Sequence, residues 1–200
     1  MSPPRIIAGR HRGRRLEVPA GLTVRPSAER LREALFSILE HRDPPLLGAR
    51  FLDLFAGSGA MGLEALSRGA ARLVLVEADR TAASALRRNV EKLGETERAR
   101  LITGDATRLP RAAEPFDIVY LDPPYAGDLA GAALASLHAG GWLAPAALVV
   151  VELAAKASFA PPRGFMTEEA RRDGAGRIVQ LRQAADPEPA TDPDDDRPAR

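Results

Sequence analysis

Cysteine is absent from the 200 residues, so disulfides, thiolate nucleophiles and cysteine metal sites are excluded together. Lysine occurs only twice, which makes nearly all of the 28 basic side chains arginines. Long apolar runs are absent as well. The opening MSPPRIIAGRHRGRR carries no apolar signal core, and no stretch is long enough to span a bilayer. These absences set the expectation of a cytoplasmic protein that meets no membrane and holds no metal.

What is present suits one globular domain with a small appendage. Hydrophobic residues make up 45% of the chain, enough for a substantial core. The net charge of +1 hides an uneven distribution. Residues 1–25 contain six arginines and a single acid, Glu17. The stretch from Asp186 holds six acids and two arginines; without it the remainder has 26 basic against 21 acidic side chains. That stretch is rich in proline and acid and poor in apolar residues, so it is expected to be disordered. The expected divisions are a basic hairpin and helix over 1–45, a main domain over 46–185, and an acidic tail over 186–200.

The alternation of RIIAGRHRGRRLEVP, with glycines at 9 and 13, reads as a hairpin with a basic turn. Its arginines 10, 12, 14 and 15 are candidates for nucleic-acid phosphates. A helix with Ser27 as its cap follows, showing Leu31, Leu35, Ile38 and Leu39 on one face. A regular alternation then begins. ARFLDLF, RLVLVE, RLITGD, FDIVYLD and ALVVVEL read as strands. GAMGLEALSRG, DRTAASALRRNVEKLG and DLAGAALASLHAG read as helices, the second with Asp79 as cap and Gly94 as stop. Short apolar strands alternating with helices mean a parallel sheet covered on both faces. Beyond Gly164 the pattern becomes an edge hairpin around DGAG.

Residues 57–62, GSGAMG, fit G-x-G-x-x-G between a strand and a helix, and Glu77 follows Gly57 by twenty residues. That is a dinucleotide fingerprint, so an NAD-dependent oxidoreductase is a serious reading. Asp53, at the end of the preceding strand, opposes it. A pyrophosphate would meet a carboxylate, and two like unit charges about 4 Å apart repel by roughly 4 kcal/mol at an effective dielectric of about 20. S-adenosylmethionine carries a sulfonium and an ammonium and no phosphate, and its ribose suits Glu77. Asp105, in TGDATRL, ends the third strand and is placed to accept from an adenine amine; a plain turn acid is its other reading.

Asp122, Pro123, Pro124 and Tyr125 close the FDIVYL strand. The prolines donate nothing and hold φ, while their carbonyls still accept. A carboxylate, a carbonyl and an aromatic face suit an exocyclic base amine, which offers two N–H donors and a π-face.

In this order, DLFAGSGAMGLEALSRGA, VEAD, GDA and DPPY resemble the S-adenosylmethionine-dependent N-methyltransferases of the Rossmann-like class. The flanks RIIAGRHRGRRLEVP, RPSAERLREALFSIL and GGWLAPAALVVVE narrow this. They resemble the bacterial small-subunit (16S) ribosomal RNA guanine-N2 methyltransferases, the RsmD family, over roughly residues 5–182. The resemblance implies a class I α/β fold: a seven-stranded, mostly parallel sheet with helices on both faces, an antiparallel last strand, and an N-terminal β-hairpin and helix. It implies that Asp53, Phe55, Ala56, Gly57, Ser58 and Gly59 line the methionine end of S-adenosylmethionine. Glu77 with Ala78 would take the ribose, Asp105 with Ala106 the adenine, and Asp122 to Tyr125 the target amine. Arg25 and Arg30 would lie beside the pocket. The implied partner is ribosomal RNA in a small subunit, approached by a monomer. Adenine-N6 methylation shares Asp-Pro-Pro-Tyr, but its enzymes usually add a target-recognition region, and only the hairpin and first helix are spare here. An idle RNA-binding protein on the same fold is the non-enzymatic alternative.

Overall fold

The computed structural model describes residues 3–18, 26–124, 128–173 and 176–184. Along them run α1 (Pro26–Leu39), β1 (Arg50–Leu54), α2 (Ala60–Ser67), β2 (Arg72–Glu77), α3 (Arg80–Leu93), β3 (Ala99–Thr103), β4 (Phe116–Leu121), α4 (Leu129–Gly140), β5 (Leu143–Ala154), β6 (Phe165–Asp173) and β7 (Gly176–Gln183). Seven strands form one sheet in the order β3-β2-β1-β4-β5-β7-β6. The first five are parallel to one another, and β7 is antiparallel to both of its neighbours. The chain moves outward from β1 to β3 and then returns to the other side of β1. That reversal opens a crevice at the carboxyl ends of β1 and β4, where open parallel sheets take ligands.

The strands are apolar on both faces because both are covered. Leu52, Leu54, Val76, Val119, Leu121, Val149 and Val151 pack with Leu134 and Leu137 of α4. Phe51, Leu73, Leu75, Ile118, Leu148 and Val150 pack with Leu35 and Phe36 of α1, Leu63 and Leu66 of α2, and Leu86 and Val90 of α3. The expected start and stop of α3 hold: Asp79 accepts from Ala82 N at 2.7 Å, and Gly94 ends the helix. Helix α1 begins at Pro26, ahead of the serine expected to cap it. Strand β5 is longer than ALVVVEL, because Leu143 already pairs with Phe116 before the register shifts past the exposed Pro145.

The N-terminal hairpin is tighter than two strands. It closes on a single Arg5–Arg15 bridge, with Ile6 N donating to Arg14 O and Gly13 N to Ile6 O. It also does not protrude. A Cβ at Gly9 would lie 1.8 Å from the Ser67 carbonyl oxygen, so only glycine permits this approach to α2. The reason is Glu64, an entirely buried carboxylate on α2. It accepts from Ile7 N at 2.7 Å, Ala8 N at 2.9 Å and Arg68 Nε at 2.8 Å, with the buried Arg32 Nε 3.8 Å away. Ser67 adds bonds to Ala8 and His11, and His11 meets the buried Glu95. Ile6 and Leu16 therefore share one core with the sheet.

Candidate active site at the carboxyl edge of the sheet

Register fixes the order of the site. Leu54 pairs with both Val76 and Leu121, and Glu77 pairs with Thr103. One step further along stand Glu77, the last residue of β2, and Phe55 and Asp122, just past β1 and β4; Asp105 lies two residues past Thr103 of β3, which gives the lateral order Asp105, Glu77, Phe55, Asp122. The expected residues for adenine, ribose, methionine end and target amine therefore stand in a row along one edge.

The glycine loop is built under strain. Phe55 has φ 62°, a left-handed conformation that a bulky residue rarely adopts, and it packs on the α4-side core. Ala56 N then donates to Val76 O at 3.0 Å, and Gly59 N to Ala56 O at 2.7 Å. Glu77 is half-buried and holds the loop from the side: one carboxylate oxygen accepts from Gly57 N at 2.7 Å, the other from Asp79 N at 2.8 Å. Each oxygen keeps further acceptor capacity, the requirement for a ribose diol. Gly57 has φ 55° and nothing within 4 Å of where its Cβ would lie, so the loop presents open, side-chain-free backbone there.

Gly59 has a different job from the one expected. A Cβ there would fall 2.2 Å from Leu86 Cδ1 and 3.2 Å from Leu63 Cδ1. It faces the core between α2 and α3, not the crevice. Asp53 also turns inward. It is 1% exposed, because alternation along β1 points it with Phe51 under α2, where it accepts from Gly62 N at 2.8 Å. Burial raises its carboxyl from 3.8 to about 7 against that bond, with Asp122 and Glu77 adding to the rise. The like-charge objection to a pyrophosphate gives way to a different one, because this carboxyl faces α2 and burial holds it largely neutral below about pH 7. The N–H groups opening a helix are the usual anion cradle. At α2 one of them already serves the protein's own carboxyl.

Asp105 is exposed and begins the 3-10 turn Ala106–Arg108. Its Oδ1 accepts from Thr107 N and Thr107 Oγ1, both at 2.8 Å, and those bonds hold its pKa below the usual value. The turn-acid reading and the ligand reading thus describe the same carboxylate. Ala106 is buried and Ala78 exposed. Ala56 and Ser58 are half-buried in the loop. Asp122 is exposed, Pro123 buried and Pro124 exposed. Pro123 and Pro124 also border a pocket of about 110 Å³ with Leu153, Ala157 and Phe159. Tyr125 and Arg25 lie outside the described residues, as does the tail 186–200. Arg30 is exposed on α1. Arg10, Arg12, Arg14 and Arg15 are all exposed, but Arg10 has Glu95 3.7 Å from its Nε. Among the described residues no cluster of His, Cys, Asp and Glu could hold a metal, and no helix is long and apolar enough to cross a membrane.

Several buried side chains were not singled out from the sequence, Glu64, Asn89 and Tyr120 among them. Glu64 and Asn89 are fully buried polar groups, and Tyr120, buried beneath Asp122, donates to Glu152 Oε2 at 2.5 Å. Signals existed for two of them. Glu64 interrupts the apolar run AMGLEALS, and Asn89 falls on the buried stripe of α3 with Leu86, Val90 and Leu93.

The strand order, the antiparallel β7 and the glycine loop beside an acid-ended β2 define a class I Rossmann-like methyltransferase. The chain belongs to the family described as Conserved hypothetical protein 95, whose profile matches residues 4–181. It is 43% identical over 149 residues to ribosomal RNA small subunit methyltransferase D of Escherichia coli K12, covering 74% of this chain and 73% of that one. The Haemophilus influenzae protein of the same name is 41% identical, with 74% and 77% covered. Among solved structures, YhhF of Escherichia coli superposes with a TM-score of 0.77 at 35% identity, over 92% of this chain and 99% of the other. The RsmD-family resemblance and the fold expected from sequence both hold.

Proposed function

We infer that this protein transfers a methyl group from S-adenosylmethionine to the N2 amine of a guanine in small-subunit (16S) ribosomal RNA. The single observation that carries the reading is the row Asp105, Glu77, Phe55, Asp122 along the carboxyl edge, in a chain 43% identical to a ribosomal RNA small subunit methyltransferase. The open backbone at Gly57 and the half-buried Glu77 fit a ribose and an amino-acid end without phosphate.

S-adenosylmethionine, when bound, supplies an electrophilic methyl on a sulfonium. The chain's own residues do the rest. Glu77 accepts from the ribose hydroxyls, and Asp105 accepts from the adenine amine. The loop at Phe55–Ser58 borders the methionine end with backbone. Asp122 and the Pro123 carbonyl accept the two hydrogens of the guanine amine, directing its delocalised lone pair toward the methyl. That is positioning, with charge stabilisation as the nitrogen becomes cationic. Asp122 takes the proton only afterwards, because a neutral aromatic amine is far too weak an acid to give it up earlier. Tyr125 stacks on the extruded base. Arg12, Arg14 and Arg15 contact RNA phosphates, and Arg30 lies beside the pocket. A monomer acting on a small subunit in the cytoplasm completes the proposal.

The test is mass spectrometry of small-subunit RNA from a strain lacking the protein. One N2-methylguanine should disappear and return on complementation. An unchanged complement of methylated guanines would refute the assignment.

A further inference from the structure

Asn89 is entirely buried on α3, a helix whose other buried positions are all apolar. An uncompensated buried amide is unfavourable, so its hydrogen bonds say what it is for. Oδ1 accepts from Glu17 N at 2.7 Å, and Nδ2 donates to Glu17 O at 2.9 Å. One side chain thus pairs both main-chain groups of Glu17 as a neighbouring strand would. Nδ2 also donates to Ser58 O at 3.0 Å. Glu17 lies two residues beyond Arg15, on the outgoing arm of the basic hairpin. Ser58 lies between the two glycines of the loop.

The rest of the hairpin is fixed to the same body. Glu64 and Ser67 hold residues 7, 8, 10 and 11 on α2, the helix that the glycine loop opens. Glu95, just past α3, holds His11. Asn89 is the short link, because it touches the arm and the loop with one amide.

We propose that Asn89 is a positioning residue that couples RNA engagement by the N-terminal arm to the cofactor loop. Phosphates drawn to Arg12, Arg14 and Arg15 restrain the arm at Glu17. Through Asn89 that restraint fixes the Ser58 carbonyl, and with it the backbone facing the methionine end. Cofactor is then held more tightly on RNA-bound protein and, by reciprocity, RNA more tightly on cofactor-bound protein. The inference rests on the ribosomal RNA reading above.

The experiment is equilibrium dialysis of radiolabelled S-adenosylhomocysteine with the full chain, alone and with saturating small ribosomal subunits. Wild type should bind the nucleoside about fivefold more tightly, or better, when the particles are present. Asn89→Leu keeps the volume and removes all three bonds. Asn89→Asp keeps the shape and the acceptor for Glu17 N but turns the donor against two carbonyls. Both should bring the ratio close to one and, by the same reciprocity, weaken particle binding to nucleoside-loaded protein about fivefold while leaving particle binding to nucleoside-free protein within about twofold, a split that general loosening of the fold would not give. Wild type that binds particles with no change in nucleoside affinity overturns the inference, even if neither variant folds. So does an Asn89→Leu protein that keeps the full ratio. Particles that neither bind nor accept methyl groups overturn the ribosomal RNA reading itself, and the coupling with it.

Discussion

Asp53→Asn is the sharpest test of the buried carboxyl beneath the loop. Asp53 ordinarily titrates at 3.8, and burial raises it to about 7 in the folded protein. The folded state therefore holds a proton that the unfolded chain has released throughout that interval. The contribution of Asp53 to stability should be greatest below pH 4 and should fall as the pH rises toward 7. At 1.36 kcal/mol for each pH unit, the difference comes to about 4 kcal/mol. Asp53 is 1% exposed, so solvent screening barely reduces this figure. Asparagine keeps the shape and a carbonyl for Gly62 N but never ionises. In urea melts near pH 4.5 the variant and wild type should agree within about 1 kcal/mol, given the net value of an ordinary hydrogen bond. Near pH 8.5 the variant should be more stable by up to about 4 kcal/mol, less what its second amide hydrogen loses unpaired. If the two stability differences were equal at the two pH values, the carboxyl would not be raised and the argument would fail.

Three other outcomes follow from the site. Gly59→Ala should destabilise the fold by roughly 1–3 kcal/mol through overpacking against Leu86, whereas Gly57→Ala should cost less stability and weaken S-adenosylhomocysteine binding; paired thermal melts and calorimetry check this, and an unaffected affinity in Gly57→Ala would contradict the open-backbone reading. Asp122→Ala should slow single-turnover methyl transfer by about 10²–10³-fold, the scale of a deleted preorganised polar group. Asp122→Asn should retain more activity, and equal damage in the two would mean that the charge alone matters. Changing Arg12, Arg14 and Arg15 to alanine should lower the slope of log affinity against log salt by about 2–3 if each meets one phosphate; an unchanged slope would remove the hairpin from the RNA interface.

Much of the fold was legible because its signals are local. Asp79 and Gly94 bracket α3 within one helix, and the apolar runs of β2 and β4 end at Glu77 and Asp122 as hydrophobicity dictates, whereas Asp53 lies inside β1, which runs on to Leu54. The row of acids at the carboxyl edge follows from parallel pairing alone. What was not legible depends on partners far away in sequence. Nothing near Gly59 says that its missing Cβ faces Leu86 while that of Gly57 faces open space. Asp53 reads as an acid facing the ligand until α2 is laid over it. Glu64 and Asn89 stand out as polar residues among apolar ones, but their partners lie 57 and 72 residues away, on an arm whose docking is a tertiary event. Nor does the sequence reveal the close packing at Gly9, because glycine permits a protruding turn and a close approach equally well.

The sheet order has a consequence for synthesis. Strand β6 leaves the ribosome before β7, yet it occupies the outer edge, and β7 lies between it and β5. Until residues 176–183 emerge, β5 presents an open row of backbone donors and acceptors along Val149–Ala154, with apolar side chains on both faces. Such an edge invites pairing with another nascent chain. The five parallel strands that carry the candidate active site can assemble earlier, but closing their exposed border must wait for Gly176–Gln183. Premature termination between Ala154 and Gly176 should therefore yield a product that holds the crevice and aggregates.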